Sequence, residues 1–231
     1  MYRSPGGASS RFTGGPLRLS SAAVTLLRRN GVKGDGPTLL LAHGAGAPMD
    51  SPFMNELAEG LARTGAPVVR FEFDYMAKRR EDGKRRGPDR APRLEEKFKE
   101  VISELGAPEE LVIGGKSMGG RIASMIADEL GVCGLLCFGY PFHPPGKPER
   151  LRTAHLKTLR TPALIVQGTR DSFGTQEEVE GYELSSAIEL AWMEDGDHSF
   201  KPRKKSGRTL EQNMEEAVRA AAGFLESLRG R

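Results

Sequence analysis

A chain of 231 residues is long enough for one sizeable α/β core and short for two domains. Its 34 basic and 31 acidic residues leave a net charge of +3, too even a balance for a protein whose main partner is nucleic acid. No apolar run approaches the ~18 residues of a membrane span, and the polar start MYRSPGGASSRFTGGP lacks the apolar stretch of a signal peptide.

These bounds imply a cytoplasmic protein with a flexible tail over residues 1–16 and a single domain over 17–231. LRLSSAAVTLLRR alternates apolar and polar positions, as a half-buried strand does, while PTLLLAHGAG is an unbroken apolar run ending in a glycine turn, as expected of a buried parallel strand. Residues 51–64 carry Phe53, Leu57 and Leu61 at helical spacing, and the strand PVVRFEFDY follows. The segment AKRREDGKRRGPDRAPR has no apolar period and reads as a polar insertion, after which LEEKFKEVISELG forms a helix closed by Gly106. Strands at 111–116 and 132–139 then flank a helix at 118–130. A strand at 162–168, a short helix near 176–184, a strand at 187–193 and a long helix at 208–228 complete the chain. Strands alternating with helices predict a mostly parallel sheet covered on both faces. Cys133 and Cys137 share one strand, where a spacing of four residues is roughly 13 Å, too far for a disulfide; they read as buried thiols in a reducing compartment.

The stretch LVIGGKSMGGRIAS admits two readings. As GKS after a strand it resembles the end of a phosphate-binding P-loop, but such a loop needs a glycine where Glu110 stands. As Gly115-Lys116-Ser117-Met118-Gly119 it fits G-x-S-x-G, the strand-to-helix turn that presents a nucleophilic serine. A serine hydroxyl needs a histidine to take its proton and a carboxylate to hold that histidine's tautomer. The strand PALIVQGTRD ends in Asp171, and the strand before His198 ends in EDGDHSF, so both partners follow Ser117 in the order serine, acid, histidine. Asp195 and Asp197 are rival acids, set too close to His198 in sequence to orient it well. The backbone N–H groups of Met118 and Ala45 are placed to form an oxyanion hole. His43 reads as a residue shaping the turn after the second strand, and of the remaining histidines, His143 and His155, the former is the better placed to reach a pocket. Neither H-e-x-x-h spacing nor paired C-x-x-C occurs, so neither metal nor other cofactor is expected.

Taken together, AHGAGAPMDSPFM, RFEFDYM, GGKSMGGR, PFHPPGKPERLRTAHL, VQGTRDSFGT and EDGDHSFKPRK resemble the α/β-hydrolase superfamily over about residues 20–228. More narrowly they are similar to a dienelactone-hydrolase-like group of small hydrolases related to the animal KANSL- and Tex-type proteins. The resemblance implies an α/β-hydrolase fold with nucleophile Ser117, acid Asp171 and base His198, but no substrate. Some animal relatives are thought to work inside complexes, which keeps open a non-catalytic binding or scaffold role; a nucleotide-binding protein using GGKS is the third reading.

Two features depart from common esterases. Lys116 puts a cation beside the nucleophile, and only about twenty residues join Tyr140 to Pro162, enough for a loop but not for a cap domain. The site is therefore expected to be open, walled by Tyr140, Pro141, Phe142 and the polar insertion. Between Lys78 and Arg93 that insertion holds eight basic residues against three acids. Arg79, Arg80, Arg85 and Arg86, with Tyr140, Phe142 and His143, are the candidate substrate contacts. They suggest a hydrolase of carboxylic esters or thioesters that favours anionic small molecules.

Overall fold

The run TLLLA at Thr38–Ala42 alternates its side chains between two apolar layers, which is what a strand covered on both faces requires. In the computed structural model, which describes residues 26–31 and 36–229, this segment is β2. Leu40 and Ala42 point into one core with Phe71, Phe98, Ile122 and Ile126, while Leu39 and Leu41 point into the other with Leu57, Leu61, Met214 and Phe224. The same alternation runs through the sheet, so the two faces demand two helical layers.

The seven strands are β1 Leu27–Asn30, β2, β3 Val68–Phe71, β4 Leu111–Lys116, β5 Gly134–Phe138, β6 Ala163–Gly168 and β7 Ile188–Met193. Their spatial order is β1-β3-β2-β4-β5-β6-β7, with β1 antiparallel to β3 and every other pair parallel. The helices are α1 Pro52–Arg63, α2 Asp74–Asp82, α3 Ala91–Leu105, α4 Met118–Leu130, α5 Gln176–Glu180 and α6 Leu210–Ser227. Helices α1 and α6 pack together on one face, and α3 and α4 on the other. No described helix is long and apolar enough to cross a membrane.

The alternating β/α order and the parallel sheet agree with the sequence expectation; several local readings do not. The expected first strand survives only as Leu27–Asn30, and its beginning, like the tail at 1–16, lies outside the described residues. The polar insertion opens with a helix, α2, because Tyr75 and Met76 bury against the core and Gly83 (φ 70°) closes its C-terminus in the left-handed region. Arg80 pins this helix to the protein, bonding Glu72 and Asp50. Helix α5 is five residues rather than nine, and the link from β5 to β6 contains one short 3-10 turn, Ala154–Thr158.

Candidate active site

Strand β4 ends at Lys116 and α4 begins at Met118, leaving Ser117 alone to turn the chain. It does so with φ 52° and ψ −114°, a conformation that non-glycine residues rarely adopt. The turn is tight because β4 lies beside β2, with Gly115 paired to Ala42. A Cβ on Gly115 or Gly119 would stand 2.2 or 2.5 Å from the Ala42 carbonyl oxygen, so both flanking positions require glycine. The P-loop alternative fails on the same geometry: residues 111–116, which would have to wrap a phosphate, are β4 itself.

Two further loops converge on Ser117. His198, on the loop after β7, lies with Nε2 2.9 Å from Ser117 Oγ and donates from Nδ1 to Asp171 Oδ2 at 2.7 Å. Asp171, on the loop after β6, is fully buried, whereas the His198 side chain is 24% exposed and reaches the surface. The rival acids are engaged elsewhere. Asp195 accepts from Arg203 and Arg170, and Asp197 Oδ1 accepts from the backbone N–H groups of Ser199 and Lys201.

Asp171 owes its position to a residue that sequence reading missed. Gln167, fully buried at the end of β6, donates from Nε2 to Asp171 Oδ2 at 3.0 Å while its Oε1 accepts from Tyr140 N–H at 2.7 Å. The backbone N–H of Phe173 donates to Asp171 Oδ1 at 2.9 Å, and the Phe173 ring stacks on the His198 imidazole with centroids 4.2 Å apart. A polar side chain in the apolar run ALIVQG was the one available signal for Gln167.

The turn after β2 faces Ser117: a Cβ on Gly44 would lie 3.7 Å from Ser117 Cβ. His43 shapes that turn. Its Nδ1–H donates to Gly44 O at 2.7 Å, and its Nε2 accepts from Phe73 N–H at 3.2 Å. Burial pushes its pKa below the ordinary value, consistent with a neutral imidazole. Tyr75 OH donates to Ala45 O at 3.0 Å and fixes the tip of the turn. Met118 follows Ser117 as the first residue of α4, and Ala45 follows Gly44 on the turn.

The expected pocket wall is placed differently. Tyr140 and Phe142 are fully buried and His143 is 2% exposed. Tyr140 donates its hydroxyl to Arg152 O at 3.1 Å while its backbone bonds Gln167, Phe142 packs against Gly174, and His143 lies with Nε2 3.4 Å from Glu178. These side chains enter the protein because the chain after β5 turns inward over the sheet. His155 bonds Ser124 Oγ at 2.8 Å, as part of a cluster with Tyr140 that touches neither Ser117 nor Asp171. Of the four candidate arginines, Arg80 and Arg86 are neutralised by Glu72 and Asp50 and by Asp82, and Arg85 is exposed. Arg79 alone reaches the turn beside Ser117, 3.4 Å from Gly46 O.

Residues 35–226 match the alpha/beta hydrolase domain family. The chain belongs to that family. A serine hydrolase homologue from Coxiella burnetii shares the fold with a TM-score of 0.62 at 24% identity, over 85% of this chain and 90% of the other. A serine hydrolase without lid from Xanthomonas campestris aligns at 0.62 and 18% identity over 86% and 88%. A monoacylglycerol lipase from Paleococcus ferrophilus aligns at 0.64 and 15% identity over 88% and 99%. At these identities the likenesses speak for the fold. Among the described residues of this alpha/beta hydrolase no cap domain covers the carboxyl ends of β4, β6 and β7, where Ser117, Asp171 and His198 meet.

Proposed function

We propose that this alpha/beta hydrolase cleaves carboxylic esters or thioesters of small molecules through an acyl-enzyme on Ser117. The observation that carries the proposal is the continuous hydrogen-bonded relay from Ser117 Oγ through both nitrogens of His198 to buried Asp171. With Nδ1–H committed to Asp171, Nε2 is left with a lone pair facing the serine hydroxyl, the tautomer a general base needs.

His198 takes the Ser117 proton as Oγ attacks the carbonyl carbon, and the imidazolium is stabilised by Asp171. The N–H groups of Met118 and Ala45 hold the oxygen that becomes negative. His198 then gives its proton to the departing alkoxide or thiolate. Water, deprotonated by the same histidine, releases the acid and restores Ser117. An edge that no cap covers among the described residues suits substrates that enter directly from solvent, and Arg79 beside Gly46 favours those carrying a negative charge near the acyl group.

A fluorophosphonate probe tests this reading. The parent should become labelled at Ser117 and hydrolyse p-nitrophenyl acetate; Ser117→Ala and His198→Ala should each abolish hydrolysis, and the double variant should be no worse than either. Labelling of Ser117→Ala at the parent rate would refute the assignment.

A further inference from the structure

Lys116 stands between the turn's first glycine and the nucleophile, yet its side chain neither follows the surface nor pairs with an acid. It is 9% exposed, and among the described residues it has no carboxylate partner. Its ammonium runs through the sheet's α1/α6 side to the loop that carries His198 and donates to the His198 carbonyl oxygen. The Phe53 and Phe200 rings face it, with centroids 5.2 and 5.9 Å from Nζ. Room for it exists only because position 139 is glycine: a Cβ there would lie 2.5 Å from Nζ and 2.9 Å from the His198 oxygen.

This arrangement makes poor sense as a stabilising device. A buried ammonium with no carboxylate in direct contact costs free energy, and cation–π contacts with a single carbonyl acceptor only partly offset it. Burial accordingly pushes the lysine down to about 8, with Asp171 and Asp197 acting in the opposite direction. An apolar chain of the same length would fill the slot between Phe53, Phe200 and Gly139 at less cost.

The loop explains why the cation is there. From Asp195 to Phe200 it is bounded by two residues with positive φ, 50° and 67°. Asn213 of α6 ties down its shoulders, donating to Glu194 O at 3.0 Å and Phe200 O at 2.7 Å. Neither of those bonds reaches His198 itself; Lys116 does. We propose that Lys116 is a positioning residue, whose ammonium holds the backbone of His198 so that one ring nitrogen meets Ser117 and the other meets Asp171. The proposal rests on the hydrolase reading given above and adds to it a tether outside the reacting groups.

The test is Lys116→Met in the full chain, read by thermal unfolding, by hydrolysis of p-nitrophenyl acetate, and by the far-downfield NMR resonance of the His198 Nδ1 proton. Methionine keeps the length and apolar contacts of the stem and removes the donor. The Tm should equal or exceed the parent's. The kcat should fall by about 10- to 100-fold, as expected when a reacting group loses its alignment by around an ångström, with KM little changed. The Nδ1 resonance should move upfield or broaden. An unchanged kcat and resonance would overturn the proposal. So would a joint fall of Tm and kcat with the resonance intact, or a variant that does not fold, since either would make the ammonium a support of the core. If the parent itself neither hydrolyses esters nor reacts with the probe, the hydrolase reading fails, and the tether is then judged by the resonance alone.

Discussion

Gln167→Leu removes the amide that links the Asp171 loop to the chain after β5 while conserving volume. In the parent, Gln167 Oε1 accepts from Tyr140 N–H at 2.7 Å, and Nε2 lies 3.0 Å from Asp171 Oδ2, 3.2 Å from Tyr140 O and 3.2 Å from Gly174 O. Tyr140 O keeps the Phe142 N–H, and Asp171 keeps Phe173 N–H and His198 Nδ1–H. The groups stripped of their partner are therefore the Tyr140 N–H and the Gly174 carbonyl. At about 1–3 kcal/mol for each unsatisfied buried group, less what leucine regains by apolar burial, the loss is roughly 3 kcal/mol. For a chain of this size that is about 6–12 °C in Tm, and the protein, with on the order of 5–15 kcal/mol in hand, stays folded at room temperature. Activity should fall about 10-fold, because Asp171 retains two donors and drifts rather than departs. Circular dichroism melts and p-nitrophenyl ester hydrolysis measure both quantities. A Tm within about 2 °C of the parent would refute the accounting, since it would mean those buried groups find other partners without loss.

Gly119→Ala should cut kcat at least about 10-fold, because its Cβ would meet Ala42 O at 2.5 Å and His43 O at 2.7 Å and drive the start of α4 away from the turn that carries Ala45; a parent-like kcat would argue against the oxyanion assignment. Lys116 has a folded-state pKa of about 8 against 10.5 for a free lysine. The unfolded chain thus binds the extra proton between those values, and denaturant titrations across the window should show parent stability climbing by on the order of 3 kcal/mol, with no climb in Lys116→Met. Arg79→Gln should lower kcat/KM for a succinylated ester several-fold at low salt and leave an acetate ester unaffected, and the difference should fade as salt screens over ~8 Å. Equal ratios in parent and variant would remove Arg79 from substrate choice.

The sheet and the meeting of Ser117, Asp171 and His198 were legible for a shared reason: each depends on short-range pattern. Unbroken apolar runs such as TLLLA and LVIGG announce buried parallel strands, and the residues that end those strands inherit the carboxyl edge of the sheet, where loops converge. What escaped was set by partners distant in sequence. Helix α2 is strongly polar overall, and only the docking of Tyr75 and Met76 and the ties from Arg80 to Asp50 and Glu72 make it a helix. Those ties also remove Arg80 from the basic rim that a count of charges suggests. Tyr140 and Phe142 are expected as pocket walls because no cap domain fits between β5 and β6, and they are buried because the chain there folds inward, its backbone bonding Gln167 and the Phe142 ring meeting Gly174.

Several costly features of this molecule gather around one spot. Among the described residues three non-glycine positions have positive φ: Ser117 at 52°, Asp195 at 50° and Phe200 at 67°. One is the strand-to-helix turn residue and the other two bound the loop that holds His198. Beside them lie the ammonium of Lys116 and the amide of Gln167, polar groups buried where the surrounding sheet is apolar. Strained backbone of this kind costs roughly 1–3 kcal/mol per residue and persists only where neighbours over-determine it. Here they do. Ser117 N–H donates to Phe138 O at 3.0 Å, Asp195 is gripped by Arg203 and Arg170, and Phe200 is held by Asn213 and packs its ring 5.4 Å from that of Phe53. A chain shaped only by stability would lose such features first, so their concentration at the ends of β4, β6 and β7 is what a reaction carried out there would require.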